Sequence, residues 1–119
     1  MARSRYPNIR KHQHPDGTVC DSRRELNRYG ELLLLKRAGE ITDLRVHPSY
    51  PIQFEGVYVK IRSKGYPNGR QLTYRADFEY REKGRLVIED VKMQSGFRTE
   101  VYKIKRALME AMGYEITEI

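Results

Sequence analysis

Two neighbouring stretches of alternating residues constrain this fold most. Leu72 to Glu82 reads Leu/Thr/Tyr/Arg/Ala/Asp/Phe, and Leu86 to Lys92 reads Leu-Val-Ile-Glu-Asp-Val-Lys. Between them lies Glu82-Lys83-Gly84-Arg85, a turn that predicts a β-hairpin. Each strand carries an acid at a position where Asp is a poor strand former, Asp77 and Asp90. Residues two apart on a strand share a face, so Asp90 projects with Lys92, while Glu89 and Val91 point the other way. Leu86 and Ile88 lie on the Asp90 face. An apolar strand face ending in a carboxylate and an ammonium is costly unless those charges have partners or a task.

The remaining pattern places helices around such a sheet. Asp21 or Ser22 can cap a helix from about Ser22 to Ala38, stopped at Gly39, with Leu26, Tyr29, Leu32 and Leu33 on its buried stripe. Leu44–Val46 and Tyr50–Phe54 read as short strands separated by Pro48, and Val57–Arg62 alternates as a half-buried strand. Ser63–Gln71 reads as a loop because of Gly65 and Pro67-Asn68-Gly69. A second helix is expected from about Thr99 to Met112, with Val101, Ile104, Leu108 and Met112 on one stripe, and a last strand over Tyr114–Ile119. The expected fold is α/β, a mixed central sheet flanked by helices, with the last strand parallel to the one bearing Asp90.

At 119 residues the chain is one domain, expected over 20–119 behind a basic arm at 1–19 that holds Arg3, Arg5, Arg10 and Lys11. Lys and Arg (23) exceed Asp and Glu (16), a net charge of +7 that fits a polyanionic partner. The longest apolar run, Leu32–Leu35, is far too short for a bilayer, so no membrane association is expected. The single cysteine, Cys20, excludes an internal disulfide and fits a cytoplasmic location. Cys20, His12 and His14 lack the fourth ligand and paired spacing of a zinc site.

Asp77 and Asp90 supply the one or two carboxylates that Mg²⁺ usually takes from a protein, and the Val91 backbone carbonyl can add a neutral oxygen. Lys92 can orient a water or neutralise charge on a phosphate in the transition state. Glu25 extends the Tyr29–Leu32 stripe to the helix start, where it either faces the sheet or closes a capping box. Arg23, Arg24, Arg75, Lys103 and Arg106 are candidate phosphate contacts around this centre.

These residues resemble the PD-(D/E)XK nuclease superfamily: Glu25 on the first helix, Asp77 after Ala76 in place of the motif's proline, then Asp90-Val91-Lys92. The wider pattern, Asp21 to Glu25, Tyr74 to Phe78, Val87 to Lys92 and Thr99 to Tyr102, resembles short phage- and prophage-encoded proteins. Size and compactness look closest to archaeal-type Holliday junction resolvases. The resemblance implies an αβββαβ core and a Mg²⁺-dependent endonuclease, with Mn²⁺ as a substitute. It implies Asp77, Asp90 and Glu25 as metal ligands, Lys92 as the catalytic lysine, and Gln94 or Ser95 as an accessory polar residue. It further implies a homodimer acting on four-way DNA junctions in the cytoplasm, that of the host if the protein is phage-encoded. Mismatch, flap or single-strand cleavage fits the same residues, and a non-catalytic DNA-binding module fits the charge alone.

Overall fold

The computed structural model describes residues 12–93 and 95–119. Its elements run α1 (Arg23–Arg37), β1 (Thr42–Val46), β2 (Ser49–Pro51), β3 (Gln53–Phe54), β4 (Val57–Tyr58), β5 (Lys60–Ser63), β6 (Tyr66–Gln71), β7 (Thr73–Arg75), β8 (Phe78–Glu82), β9 (Arg85–Asp90), α2 (Glu100–Ala111) and β10 (Ile116–Glu118). The main sheet has the order β1-β8-β9-β10. Its first two pairings are antiparallel and β9–β10 is parallel, so the sheet is mixed, as the sequence predicts.

Local chemistry explains the boundaries. Ser22 caps α1, its hydroxyl accepting from the Glu25 amide at 3.1 Å, and Thr99 caps α2 by accepting from Tyr102 N at 3.0 Å. The β8–β9 hairpin turns on Lys83 and Gly84, both at positive φ (53° and 76°), between the paired Glu82 and Arg85. Two such residues give the twist that a tight hairpin requires.

A helix covers each face of the main sheet. On one side α1 brings Tyr29 and Leu32 onto Ile41, Phe78 and Tyr80, with Val87 and Val91 alongside. On the other, Met109 of α2 packs on Ile88 and Ile116, continuous with Tyr50, Ile52, Tyr74 and Ala76. Strand β9 therefore sends Val87, Glu89 and Val91 toward α1, and Ile88 and Asp90 toward α2.

Three expectations change. Tyr66–Gln71 is not loop but strand β6, paired with β5 in a ribbon of its own. Gly69 makes that pairing possible: at φ 96° it lets the Lys60 side chain lie across it, where a Cβ would stand 2.8 Å from the Lys60 Cβ. The α2 stripe is rotated, leaving Val101 62 % and Ile104 53 % exposed while Met109 is buried. Tyr102 takes the core side, and its hydroxyl reaches Glu118 on β10. The basic arm is described only from His12, and His12–Val19 is no free tail. Gln13 and Val19 form a β-bridge, and the Tyr29 hydroxyl donates to Asp16 at 2.6 Å. Arg3, Arg5, Arg10 and Lys11 lie outside the described residues, as does Gln94.

Candidate active site

The chain passes from β7 to β8 through Ala76 and Asp77, and this junction is where the acids gather. One ligand atom each from Asp21, Glu25, His47 and Asp77 fall within 4.8 Å of one another. Glu25 is buried at the start of α1 and accepts a bond from the Asp21 amide at 3.2 Å. The His47 Nε2 lies 2.7 Å from Glu25 Oε2. Asp77 Oδ2 accepts from the Val91 amide at 2.6 Å, so the β9 backbone fixes its carboxyl.

Of the expected ligands Asp77 and Glu25 meet here and Asp90 does not join them, while Asp21 and His47 do without having been foreseen as ligands. His47 sits just after β1 with φ 54°, a conformation unusual outside glycine. Its amide bonds to the Asp77 carbonyl at 2.9 Å, which anchors the kink that swings its ring toward Glu25. Burial, helped by the Arg75 charge, lowers its pKa and favours the neutral ring.

Asp90 lies outside that group of four and faces α2. Its Oδ2 is buried with no hydrogen-bond partner among the described residues. Its register partner across the parallel pair is Glu118. Glu118 collects Lys92, Arg98 Nε at 3.0 Å, Arg106 Nη1 at 2.8 Å and the Tyr102 hydroxyl at 2.7 Å, and these donors hold its pKa far below the carboxylate range. Lys92 therefore stands on the Asp90 side, as alternation requires, and is held there by a residue that no local spacing marks. A cavity of about 270 Å³ opens beside Asp90, Lys92, Phe97 and Tyr102.

Two pKa values tie the halves together. Burial chiefly, then the neighbouring Glu25 carboxyl, pushes Asp77 up from 3.8 to about 7. Burial, then Glu118, pushes Asp90 up to about 7, with Arg98 and Arg106 opposing and Glu25 adding a smaller push. Glu25 is thus the common neighbour of the two strand acids. Both have a folded pKa above the unfolded one, so protonation favours the fold. Their cost is absent below the ordinary value near 3.8, grows as pH rises, and is complete above about 7. Chelated protein should therefore be less stable at about pH 8 than at about pH 5, and Asp90→Asn should shrink the difference. The Asp90 displacement is worth about 4 kcal/mol unscreened, and its partial exposure leaves about 1–2 kcal/mol, readable by urea denaturation.

The predicted phosphate contacts divide. Arg23 and Lys103 are exposed. Arg24 Nε donates to the Lys92 carbonyl at 2.9 Å and so braces the end of β9. Arg75 pairs with Asp21 at 3.1 Å, and Arg106 with Glu118 and Glu110, so these two are already bound to acids. Ser95 is exposed and its hydroxyl accepts from the Phe97 amide at 3.3 Å. Cys20 is buried and its thiol is pushed up to about 12 by burial and Glu25, which keeps it protonated and unreactive.

Residues 3–118 match the family described as "Protein of unknown function (DUF1064)". The chain belongs to that family. Neither the curated proteins nor the solved structures hold a significant match to it. The match spans both helices and the whole main sheet, so the acids, His47 and Lys92 all belong to the DUF1064 unit. No helix among the described residues is long and apolar enough to cross a membrane.

Proposed function

We propose that this protein is a metal-dependent endodeoxyribonuclease with a PD-(D/E)XK-type core, acting as a homodimer on branched DNA, four-way junctions foremost. The observation that carries the reading is the gathering of Asp21, Glu25, His47 and Asp77 beside the strand that bears Asp90 and Lys92. The element order supports it: with β2–β7 set aside, α1-β1-β8-β9-α2-β10 reads αβββαβ.

The donor set suits a divalent cation. Three carboxylates and one imidazole are mostly hard oxygen donors, and the nitrogen is better suited to Mn²⁺ than to Mg²⁺. The unpartnered Asp90 Oδ2 is a buried oxygen on the α2 side, beside Lys92 and open to the adjoining cavity. Asp21, Glu25, His47 and Asp77 would hold the ion. Such an ion supplies positive charge against phosphoryl oxygens and acidifies water. Every other task falls to the chain. Glu118 aims the Lys92 ammonium, which offers a fixed charge to a phosphate in the adjoining cavity. Asp77 and Asp90 release their protons near neutrality, so cation affinity should climb with pH through about 7. The Val91 amide holds Asp77 in position throughout.

The test is a panel of labelled four-way junctions, flaps, mismatched and linear duplexes and single strands, each with Mg²⁺, Mn²⁺ or chelator. Metal-dependent nicking that favours the junction is expected. Equal cleavage of linear duplex would reject the junction preference, and no cleavage of any substrate with either ion would reject the nuclease.

A further inference from the structure

We propose that the β5–β6 ribbon is a second, non-catalytic DNA contact, which lies against the phosphates of a duplex and enters its major groove. The proposal rests on the nuclease reading for the identity of its partner. Between Glu55 and Asp77 the chain has no acid, yet Lys60, Arg62, Lys64, Arg70 and Arg75 fall there. Arg75 pairs with Asp21, whereas Lys60, Arg62, Lys64 and Arg70 form no ion pair with any described residue. All four are exposed. A cluster of unpaired cations that repel one another is paid for only when an anion is brought to it.

The shape fits a groove. Among the described residues β5 and β6 pair with each other and with no third strand, so both outer edges of the ribbon are unpaired there. The major groove admits a two-stranded ribbon of this kind. The Arg70 guanidinium lies over the Tyr66 ring, 5.7 Å from its centroid, and Tyr66 is itself 53 % exposed. The close approach of Gly69 to Lys60 keeps the strands in register and sets the Lys60 stem across the ribbon. Arg70 stands opposite Ile61 in the register and with it, Leu72, Val101 and Ile104 lines a cavity of about 400 Å³ beside α2, whereas Lys60 projects from the other face, so the ribbon carries cations on both faces.

The ribbon is also placed to act with the acid cluster. β6 leads through Leu72 and β7 into Asp77. Arg70 lies at most about 23 Å from Asp77 along the strand path, roughly seven base-pair steps of duplex. The span is short enough for one duplex to reach both. The turn residues of 63–71 mark a loop, which is why the sequence does not disclose this ribbon.

The test uses the full chain carrying Lys60→Gln, Arg62→Gln, Lys64→Gln and Arg70→Gln together. A charge-matched control carries Lys36→Gln, Arg37→Gln, Arg81→Gln and Lys83→Gln. Circular dichroism and melting confirm that both fold. Binding to a labelled linear duplex is measured in chelator over a range of salt, so the result does not depend on cleavage. The ribbon variant should lose about three to four from the slope of log K against log salt, and the control less than about one. Equal slopes for wild type and ribbon variant, or equal losses in variant and control, overturn the proposal. So does a wild type that binds no duplex. A ribbon variant that keeps its DNA slope but no longer binds poly-glutamate reassigns the ribbon to an acidic protein partner. Loss of the ribbon's slope in a wild type that cleaves nothing leaves the DNA contact standing and removes only the nuclease reading.

Discussion

Asp77→Asn should abolish metal-dependent cleavage while making the chelated protein more stable above neutral pH. The two effects share one cause. Asp77 is buried beside Glu25, and its pKa of about 7 measures how poorly the fold tolerates its charge. A carboxamide has nearly the same shape and cannot ionise. Its oxygen can still accept the Val91 amide, so the junction between β7 and β8 keeps its geometry. Losing a carboxylate that would hold the ion removes positive charge set against the reacting phosphate, a loss of about 10²–10³-fold in rate or more. The stability gain has the opposite sign and a defined window. It is absent below the ordinary carboxylate pKa of 3.8, where the folded and unfolded carboxyls are both protonated, and complete above about pH 7. Partial exposure limits it to about 1–2 kcal/mol. Cleavage rates and urea denaturation at about pH 6 and about pH 8 would check both halves. An Asn variant that cuts normally removes Asp77 from the site. One that loses activity and stability together makes its role structural. The pattern expected, function lost and stability gained, is that of a site which stores electrostatic cost until a cation relieves it.

What the sequence disclosed follows from range. The α1 boundaries were legible because Ser22 and Gly39 act within a turn of the helix. The β8–β9 hairpin was legible because Lys83-Gly84 sets the pairing locally, and alternation then separates Glu89 from Asp90. His47 was not legible: a histidine between Val46 and Pro48 carries no sign of its partner, and its positive φ comes from a pairing with Asp77 some 30 residues on. Glu118 was missed for a similar reason. Its identity as the anchor of Lys92, Arg98 and Arg106 depends on the parallel register that sets it against Asp90. The β5–β6 ribbon was hidden by its own turn residues. Pro67, Asn68 and Gly69 argue for a loop, and only the exposed, unshared edge of an isolated hairpin tolerates a proline there. The α2 stripe failed because periodicity gives an apolar face but not whether the sheet claims it. Here Tyr102, Leu108, Met109 and Met112 take the core side, and the Tyr102 hydroxyl reaches Glu118.

Arg28→Met should be among the most destabilising single changes in this chain, by about 3–5 kcal/mol. Alternation predicts Glu89 on the face away from Asp90, pointing at α1, and there it is only 1 % exposed. Its carboxylate is gripped by both arms of Arg28, Nε to Oε1 at 2.9 Å and Nη2 to Oε2 at 2.6 Å, and by the Tyr80 hydroxyl. Methionine fills much the same volume but leaves the charge in place with one donor. The cost is chiefly that of an uncompensated buried anion, not the worth of the pair. Adding Glu89→Leu to Arg28→Met should then recover most of the loss, because two apolar side chains replace two charges between α1 and β9. Thermal melts of the wild type, both single variants and the double variant close the cycle. If Arg28→Met melts with the wild type, the pair is not what fixes α1 on β9. Position also matters for function: Glu89 directly precedes Asp90, and its grip on α1 sets the distance from β9 to Glu25 near the start of the same helix. The double variant should therefore regain stability more fully than cleavage, since an apolar contact holds the helix against the sheet without fixing where along β9 it sits.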